Sequence, residues 1–307
     1  MDFYNISKNG KESLDEILGE SVNTVYKISD INGGHWALKV IRDLNLKVYK
    51  LREAFLLRLI DNNNICKLKD VFIKDNNLYM IFPIYQKLSS VDEKYPDMIV
   101  DDKENIKKDI LSAIEYLKNI NIFQGDIQNR NILYDSENNN YILNDFDCAA
   151  FNYGGFIDES YDFDIYMLEL QLLNTEQRDI IHDDKHINNP IIKDFLQCKR
   201  KYIEKDRGPK LEKVNFYWNV EYINGNRFSR VYNIIEKNFE YIKNITDCDE
   251  KIIKLLLCFI FGPITHFDEE KDIPLKLMES IFNIPEEIIY NEIIKLCLLL
   301  DFKLPFY

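Results

Sequence analysis

The sequence has no C-x-x-C pair. Its six cysteines, Cys66, Cys148, Cys198, Cys248, Cys258 and Cys297, are widely scattered, so neither a zinc site nor a disulfide framework is indicated. Reduced, buried thiols in a cytoplasmic setting, in the chain's own cell or a host's, are the expectation. Long apolar runs are missing too. The longest, residues 255–261, is far short of the roughly 20 residues a membrane span needs. Residues 1–10 are polar and mixed, unlike a secretory leader. Basic residues are outnumbered, 39 Lys and Arg against 52 Asp and Glu, for a net charge of −13. Nucleic acid rewards clustered Lys and Arg, so the balance argues against that partner and against an anionic membrane. An anionic ligand must therefore be held locally, by one or two basic side chains. Among the histidines only His182 and His186 share an i, i+4 spacing, and with Asp183 and Asp184 between them they read as an exposed polar loop rather than a metal site.

What is present suits a globular chain. Hydrophobic residues make up 46% and charged residues 30% of 307 positions, enough for one large domain or two lobes around a cleft. The most organised stretch is residues 124–147. Asp126 is followed five positions later by Asn131, and the apolar run Ile132-Leu133-Tyr134 comes next. A polar turn leads to Tyr141-Ile142-Leu143, with Asp145 just beyond. The pattern predicts two short strands joined by a turn, with acid and amide groups at their ends. Phosphoryl transfer uses such a set: one carboxylate to orient the nucleophile, an amide and a second carboxylate to hold Mg²⁺.

Asp126 and Asn131 fit D-x-x-x-x-N, and Asp145-Phe146-Asp147 stands where protein kinases carry D-F-G. The stretch resembles the protein-kinase catalytic core, and other parts occur in the family's order. Residues 14–40 read as strands. Residues 17–27 resemble the glycine-rich loop, with only Gly19 retained and Asn23 in another glycine's place; taken alone they are also a plain hairpin. An Asn32-Gly33-Gly34 turn follows. Ala37-x-Lys39 resembles the A-x-K of the third strand. A lysine within an apolar strand requires an anion, unless the strand is an edge and the lysine faces water. Residues 46–60 read as a helix with Tyr49, Leu56, Leu57 and Ile60 near one face and Glu53 among them. Glu53 is either the partner of Lys39 or a solvated helix acid.

Residues 65–72 and 78–82 read as strands about a turn at Asp75-Asn76-Asn77, and the resemblance implies Phe82 as the residue gating the back pocket and residues 83–86 as hinge. A helix opens at residues 100–104, with an Asp cap and a Glu three residues on, and buries Ile106, Ile110, Ala113, Ile114 and Leu117. Residues 162–170 form another helix. Asp164 in it resembles the aspartate that braces the catalytic loop, though a helix-cap role is the alternative.

The interval from Asp145 to Asp164 is 19 residues, and there is no A-P-E. Gly125 stands before Asp126 where phosphorylation-switched kinases carry arginine. These departures imply that activation-loop phosphorylation does not control the chain. They resemble the aminoglycoside and choline phosphotransferases and the atypical Bud and RIO protein kinases. The resemblance covers about residues 14–175. Beyond it, residues 214–222 alternate as an extended segment would, and residues 252–261, 275–282 and 288–300 read as buried helices.

The resemblance implies an α+β, two-lobed protein-kinase-like fold, with a small β-rich lobe over residues 1–83 and a larger helical lobe over 84–307, of which 174–307 is a divergent helical part. It implies ATP and Mg²⁺. Adenine would rest on Leu18, Val25, Ala37 and Leu133, with Gly19 beside the phosphates. Lys39 would hold the phosphates and Glu53 orient it. Asn131 and Asp145 would bind the metal, and Asp126 would orient the acceptor hydroxyl. Gln128 replaces the lysine that touches the γ-phosphate in Ser/Thr kinases. Three functions follow: an atypical protein Ser/Thr kinase, a small-molecule kinase, or a pseudokinase scaffold, the last drawn from Gln124, Gln128, Asp147 and the reduced glycine loop. A protein substrate or partner is expected; oligomeric state is not set by the sequence.

Overall fold

Alternating apolar residues in the first third of the chain build one antiparallel sheet. The computed structural model describes residues 14–20, 23–30, 32–88, 102–151, 157–172, 229–261 and 283–305. In it β1 (Leu14–Glu20), β2 (Thr24–Ser29), β3 (His35–Ile41), β4 (Asp70–Lys74) and β5 (Asn77–Phe82) lie in the order β1-β2-β3-β5-β4. Because side chains alternate along a strand, Leu38 and Val40 join Ile28 and Ile81 in a small cluster on one face. Ala37 and Ile41 pack on the other face into the main core with Met80 and Phe82. Lys39 shares that second face.

The expected helix over residues 46–60 is shorter than its sequence pattern. Two 3₁₀ turns, Leu44–Leu46 and Val48–Lys50, precede α1 (Leu51–Leu59). The cause is local. The N–H of Leu44 bonds the Asn76 carbonyl at 2.8 Å and that of Asn45 bonds the Asn76 side chain at 3.0 Å, so the first 3₁₀ turn is held on the β4–β5 turn. The strand expected over 65–72 begins only at Asp70. Its first half docks along β9 (Asn140–Leu143): Leu143 N–H bonds the Asn64 carbonyl at 2.8 Å and Cys66 N–H bonds the Leu143 carbonyl at 3.0 Å.

β6 (Gln86–Lys87) and β8 (Ile132–Asp135) join β9 in a three-stranded sheet ordered β6-β8-β9. The two strands expected around Asn131 and Asp145 are β8 and β9. α2 (Lys103–Asn119) buries the five residues its periodicity selects, Ile106, Ile110, Ala113, Ile114 and Leu117. Asp102 does not cap it by side chain: one oxygen accepts from Asn105 and the other from the Tyr141 hydroxyl, each at 2.8 Å. The short pair β7 (Ile122–Phe123) and β10 (Ala150–Phe151) brackets the functional loop, and α3 (Ile157–Leu172) packs on α2.

Helices α4 (Ser229–Ile245), α5 (Glu250–Phe261) and α6 (Glu286–Leu299) complete the described chain, and α5 packs directly on α1. Residues from Ile41 to Leu304 belong to one hydrophobic core. The architecture is the α+β one expected, β-rich first and mainly helical afterwards. The expectations for residues 182–186, 214–222 and 275–282 lie outside the described residues. No described helix is long and apolar enough to cross a membrane.

Candidate active site

β3 carries Lys39 and α1 carries Glu53, and the two meet in a buried ion pair. The Lys39 Nζ lies 2.8 Å from each Glu53 carboxylate oxygen. It also donates to Asp145 Oδ1 at 3.1 Å and stands 3.5 Å from Asp147 Oδ1. Both alternatives left open by the sequence, a lysine facing water and a solvated helix acid, are therefore set aside. Burial works against the Lys39 ammonium, but the carboxylates of Asp145, Asp147 and Glu53 outweigh it and hold its pKa well above the usual lysine value. Glu53, Asp145 and Asp147 bring carboxylate oxygens within 4.8 Å of one another. The ammonium of Lys39 occupies their midst, so this acid cluster is a lysine cage.

Asp147 has two further partners. Lys50 Nζ donates to its Oδ2 at 2.7 Å, and the Asn23 side-chain amide donates to the same oxygen at 3.2 Å. Burial disfavours its charge, but Lys39 and Lys50 beside it hold the Asp147 carboxyl well below its usual range. A change from D-F-G that reads in sequence as erosion is thus built into the site. Asp145 adopts a left-handed backbone, φ 59°, a conformation that costs free energy in a non-glycine residue and persists where its surroundings enforce it.

Gln124 supplies part of that enforcement. It is fully buried. Its amide donates to the Asp145 carbonyl at 2.7 Å, and its Oε1 accepts the Asp126 N–H at 2.6 Å. One side chain therefore ties the loop bearing Asp126 to the segment bearing Asp145. Asp164 from α3 braces the same loop, accepting the N–H groups of Gln124 at 2.9 Å and Gly125 at 3.0 Å. That is the bracing role expected of it, not helix capping. Burial pushes the Asp164 carboxyl up to about 7, against the two N–H groups that favour its ionised form.

The 3₁₀ turn Asn129–Asn131 places Asn131 beneath Asp126. Its amide donates to the Asp126 carbonyl at 2.8 Å and to Asp126 Oδ2 at 3.0 Å. Gln128 donates to the other oxygen, Oδ1. Burial raises the Asp126 pKa above 3.8, with the Gln128 bond and Arg130 opposing. Gly125 is required for conformational reasons. Its φ is +78°, and a Cβ there would stand 3.0 Å from the Phe123 ring and 3.1 Å from the Cys148 carbonyl oxygen.

The remaining site expectations map onto strands. Leu18 and Gly19 lie on β1, Val25 on β2, Ala37 on β3 and Leu133 on β8. Val25 faces Lys39 and Ala37 faces Phe82 across their ladders, and Leu133 pairs with Lys87. The Lys87 ammonium reaches the Leu18 carbonyl. Sequence reasoning overlooked Lys50 and the partnership of Asn23 with Asp147. One signal was available: Lys50 lies three residues before Glu53 and so faces the same way.

Comparison with known proteins agrees with this geometry. Residues 13–157 match the protein kinase domain model. Calcium-dependent protein kinase 4 of Plasmodium berghei is 32% identical over 135 residues, 40% of this chain and 25% of that protein. Cyclin-dependent kinase 1 of Encephalitozoon cuniculi is 29% identical over 141 residues, 42% of this chain and 47% of that one. The CTD kinase subunit alpha of Schizosaccharomyces pombe is 28% identical over 160 residues, 48% and 26% respectively. The chain thus spans between a quarter and a half of these relatives. Fold, site and matches together show residues 13–157 to be a protein-kinase-like region, and the β-rich then helical order of elements agrees with the two-lobed α+β kinase fold.

Proposed function

We propose that the chain is an ATP- and Mg²⁺-dependent protein Ser/Thr kinase of atypical form, active without phosphorylation of an activation loop. The observation that carries this reading is Lys39, gripped at 2.8 Å by Glu53 and at 3.1 Å by Asp145, with Asp126 and Asn131 hydrogen-bonded on the adjoining loop. The donor set suits the cofactor. Asp145 gives Lys39 its Oδ1 and its side chain is 37% exposed, so this carboxylate is open to a cation as well. Asp145 and Asn131 would hold the metal. When bound, Mg·ATP supplies the phosphoryl group and neutralises the charge that develops during its transfer.

The chain's residues bind and orient. Lys39, positioned by Glu53, binds phosphate oxygens. Leu18, Val25, Ala37 and Leu133 offer apolar surface to adenine. Asp126 orients the acceptor hydroxyl and takes its proton late, because phosphoryl transfer is mostly positioning and charge stabilisation. The bonds that Gln124 and Asp147 make within the site favour an enzyme over the pseudokinase alternative.

The test uses labelled ATP and Mg²⁺ with generic protein substrates, beside Asp145→Ala. Label on serine or threonine of the chain or a protein substrate, lost in the variant, supports the proposal. Turnover only with small alcohols moves the assignment to a small-molecule kinase. No transfer and no nucleotide-dependent thermal shift overturns it.

A further inference from the structure

Asp147 replaces a glycine's hydrogen with a carboxylate, and that carboxylate reaches three separate parts of the chain. Its Oδ2 takes Lys50 from the 3₁₀ turn leading into α1 at 2.7 Å and Asn23, at the start of the β1–β2 connection's described part, at 3.2 Å. Its Oδ1 lies 3.5 Å from Lys39 on β3. The Lys50 and Asp147 side chains are 11% and 15% exposed, so the pair is largely shielded and its loss is not made good by water.

We propose that Asp147, with Lys50, is a positioning latch that fixes α1 against the Asp145 segment and so keeps Glu53 on Lys39. This inference rests on the kinase reading and deepens it. In phosphorylation-switched kinases new arginine–phosphate pairs order the activation segment. Here a carboxylate encoded two residues after Asp145 supplies a standing negative charge, and a lysine one residue before α1 is its counterion. Lys50 sits three residues from Glu53, so restraining the start of the helix restrains the acid one turn along. Asn23 extends the same hold to the β1–β2 loop. The arrangement agrees with Gly125, which leaves no arginine before Asp126 to receive a phosphate.

The test compares wild type, Asp147→Asn, Lys50→Met, Lys50→Arg and the Asp147→Asn/Lys50→Met double variant, all as full chains. Two readouts are taken: phosphoryl transfer from labelled ATP, and amide hydrogen exchange across residues 48–59 without nucleotide. The latch predicts about a tenfold to hundredfold loss of kcat/KM in Asp147→Asn and in Lys50→Met. The double variant is expected to be no worse than either single, and Lys50→Arg to recover activity. Exchange over 48–59 should speed up in both neutralised variants while exchange in α2 does not change. Unchanged exchange in α1, or losses that multiply in the double variant, overturns the latch. If wild type itself transfers no phosphoryl group, the kinase reading fails, and the exchange result still decides whether the latch exists.

Discussion

Phe302 closes its ring against Phe55 of α1, with centroids 5.5 Å apart and planes inclined at 52°. Both rings are buried. The contact joins the far C-terminal part of the described chain to the helix that carries Glu53, two residues before Phe55 and so within one turn of α1. Arg58 adds a weaker tie, 3.6 Å from both Asp70 and Asp301. The packing of α5 on α1 makes the C-terminal helices part of the floor on which the Lys39–Glu53 pair is held.

Phe302→Ala is therefore expected to cost about 3–5 kcal/mol of folding free energy, as a truncated core aromatic does. Denaturant unfolding measures it. Phe302→Leu, which keeps most of the volume, should cost less and retain transfer activity. A loss below about 1 kcal/mol for the alanine variant would mean the ring contact is not a structural support.

Gly125→Arg restores the residue type that switched kinases carry before the catalytic aspartate, and the prediction is loss, not gain, of function. At φ +78° any side chain is strained, and the added Cβ meets the Phe123 ring and the Cys148 carbonyl. Gly125→Ala should already lower stability by more than about 1 kcal/mol, and both variants should lose activity because the loop bearing Asp126 must move. Thermal unfolding and the labelled-ATP assay read the two effects.

Much of this was legible in the sequence because it depends on periodicity and spacing. The α2 stripe, the β8–β9 pair and the Lys39–Glu53 partnership follow from alternation, from 3.6-residue repeats and from the cost of burying a charge alone. What was hidden depends on tertiary hydrogen bonds. Two 3₁₀ turns, the first held on Asn76, take the place of the first helical turn expected from residue 46, and β9 takes up residues 65 and 66 that read as strand. Gln124 and Asp147 looked like erosion because their partners, Asp145's carbonyl and Lys50, lie 21 and 97 positions away. The need for glycine at 125 was invisible because a backbone angle leaves no mark on composition.

Asp164 yields a stability prediction with a definite sign. Its folded-state pKa, about 7, lies above the ordinary 3.8. The native state therefore holds a proton between those values that the unfolded chain releases. The stabilisation linked to this group is full below about 4 and is lost as pH rises through about 7. Asp164→Asn cannot titrate, and it presents an amide donor to one of the two loop N–H groups, costing about 1–3 kcal/mol for the unpaired group. Unfolding free energies across this pH range should show the gap between wild type and variant narrowing as pH rises. A constant gap would mean that Asp164 does not titrate in the native state within it.

Asp126 and Gln128 give the last prediction, and it concerns the reaction. In the role proposed for it, Asp126 must be ionised to orient a hydroxyl and take its proton, so kcat/KM should fall on the acid side as it protonates. Burial sets that limb above 3.8, and the hydrogen bond from Gln128 to Oδ1 pulls it back down by favouring the carboxylate. Gln128→Met removes the donor and leaves the burial, so the acid limb should move to higher pH. Near neutral pH the same variant loses less activity than it does in acid. Asn131→Ala removes the donor to Oδ2 and should shift the limb the same way, with an added fall in activity because Asn131 is also a proposed metal ligand. The pH dependence of kcat/KM for wild type and Gln128→Met decides the matter: an unmoved limb would show that Asp126 is not the group whose ionisation it reports.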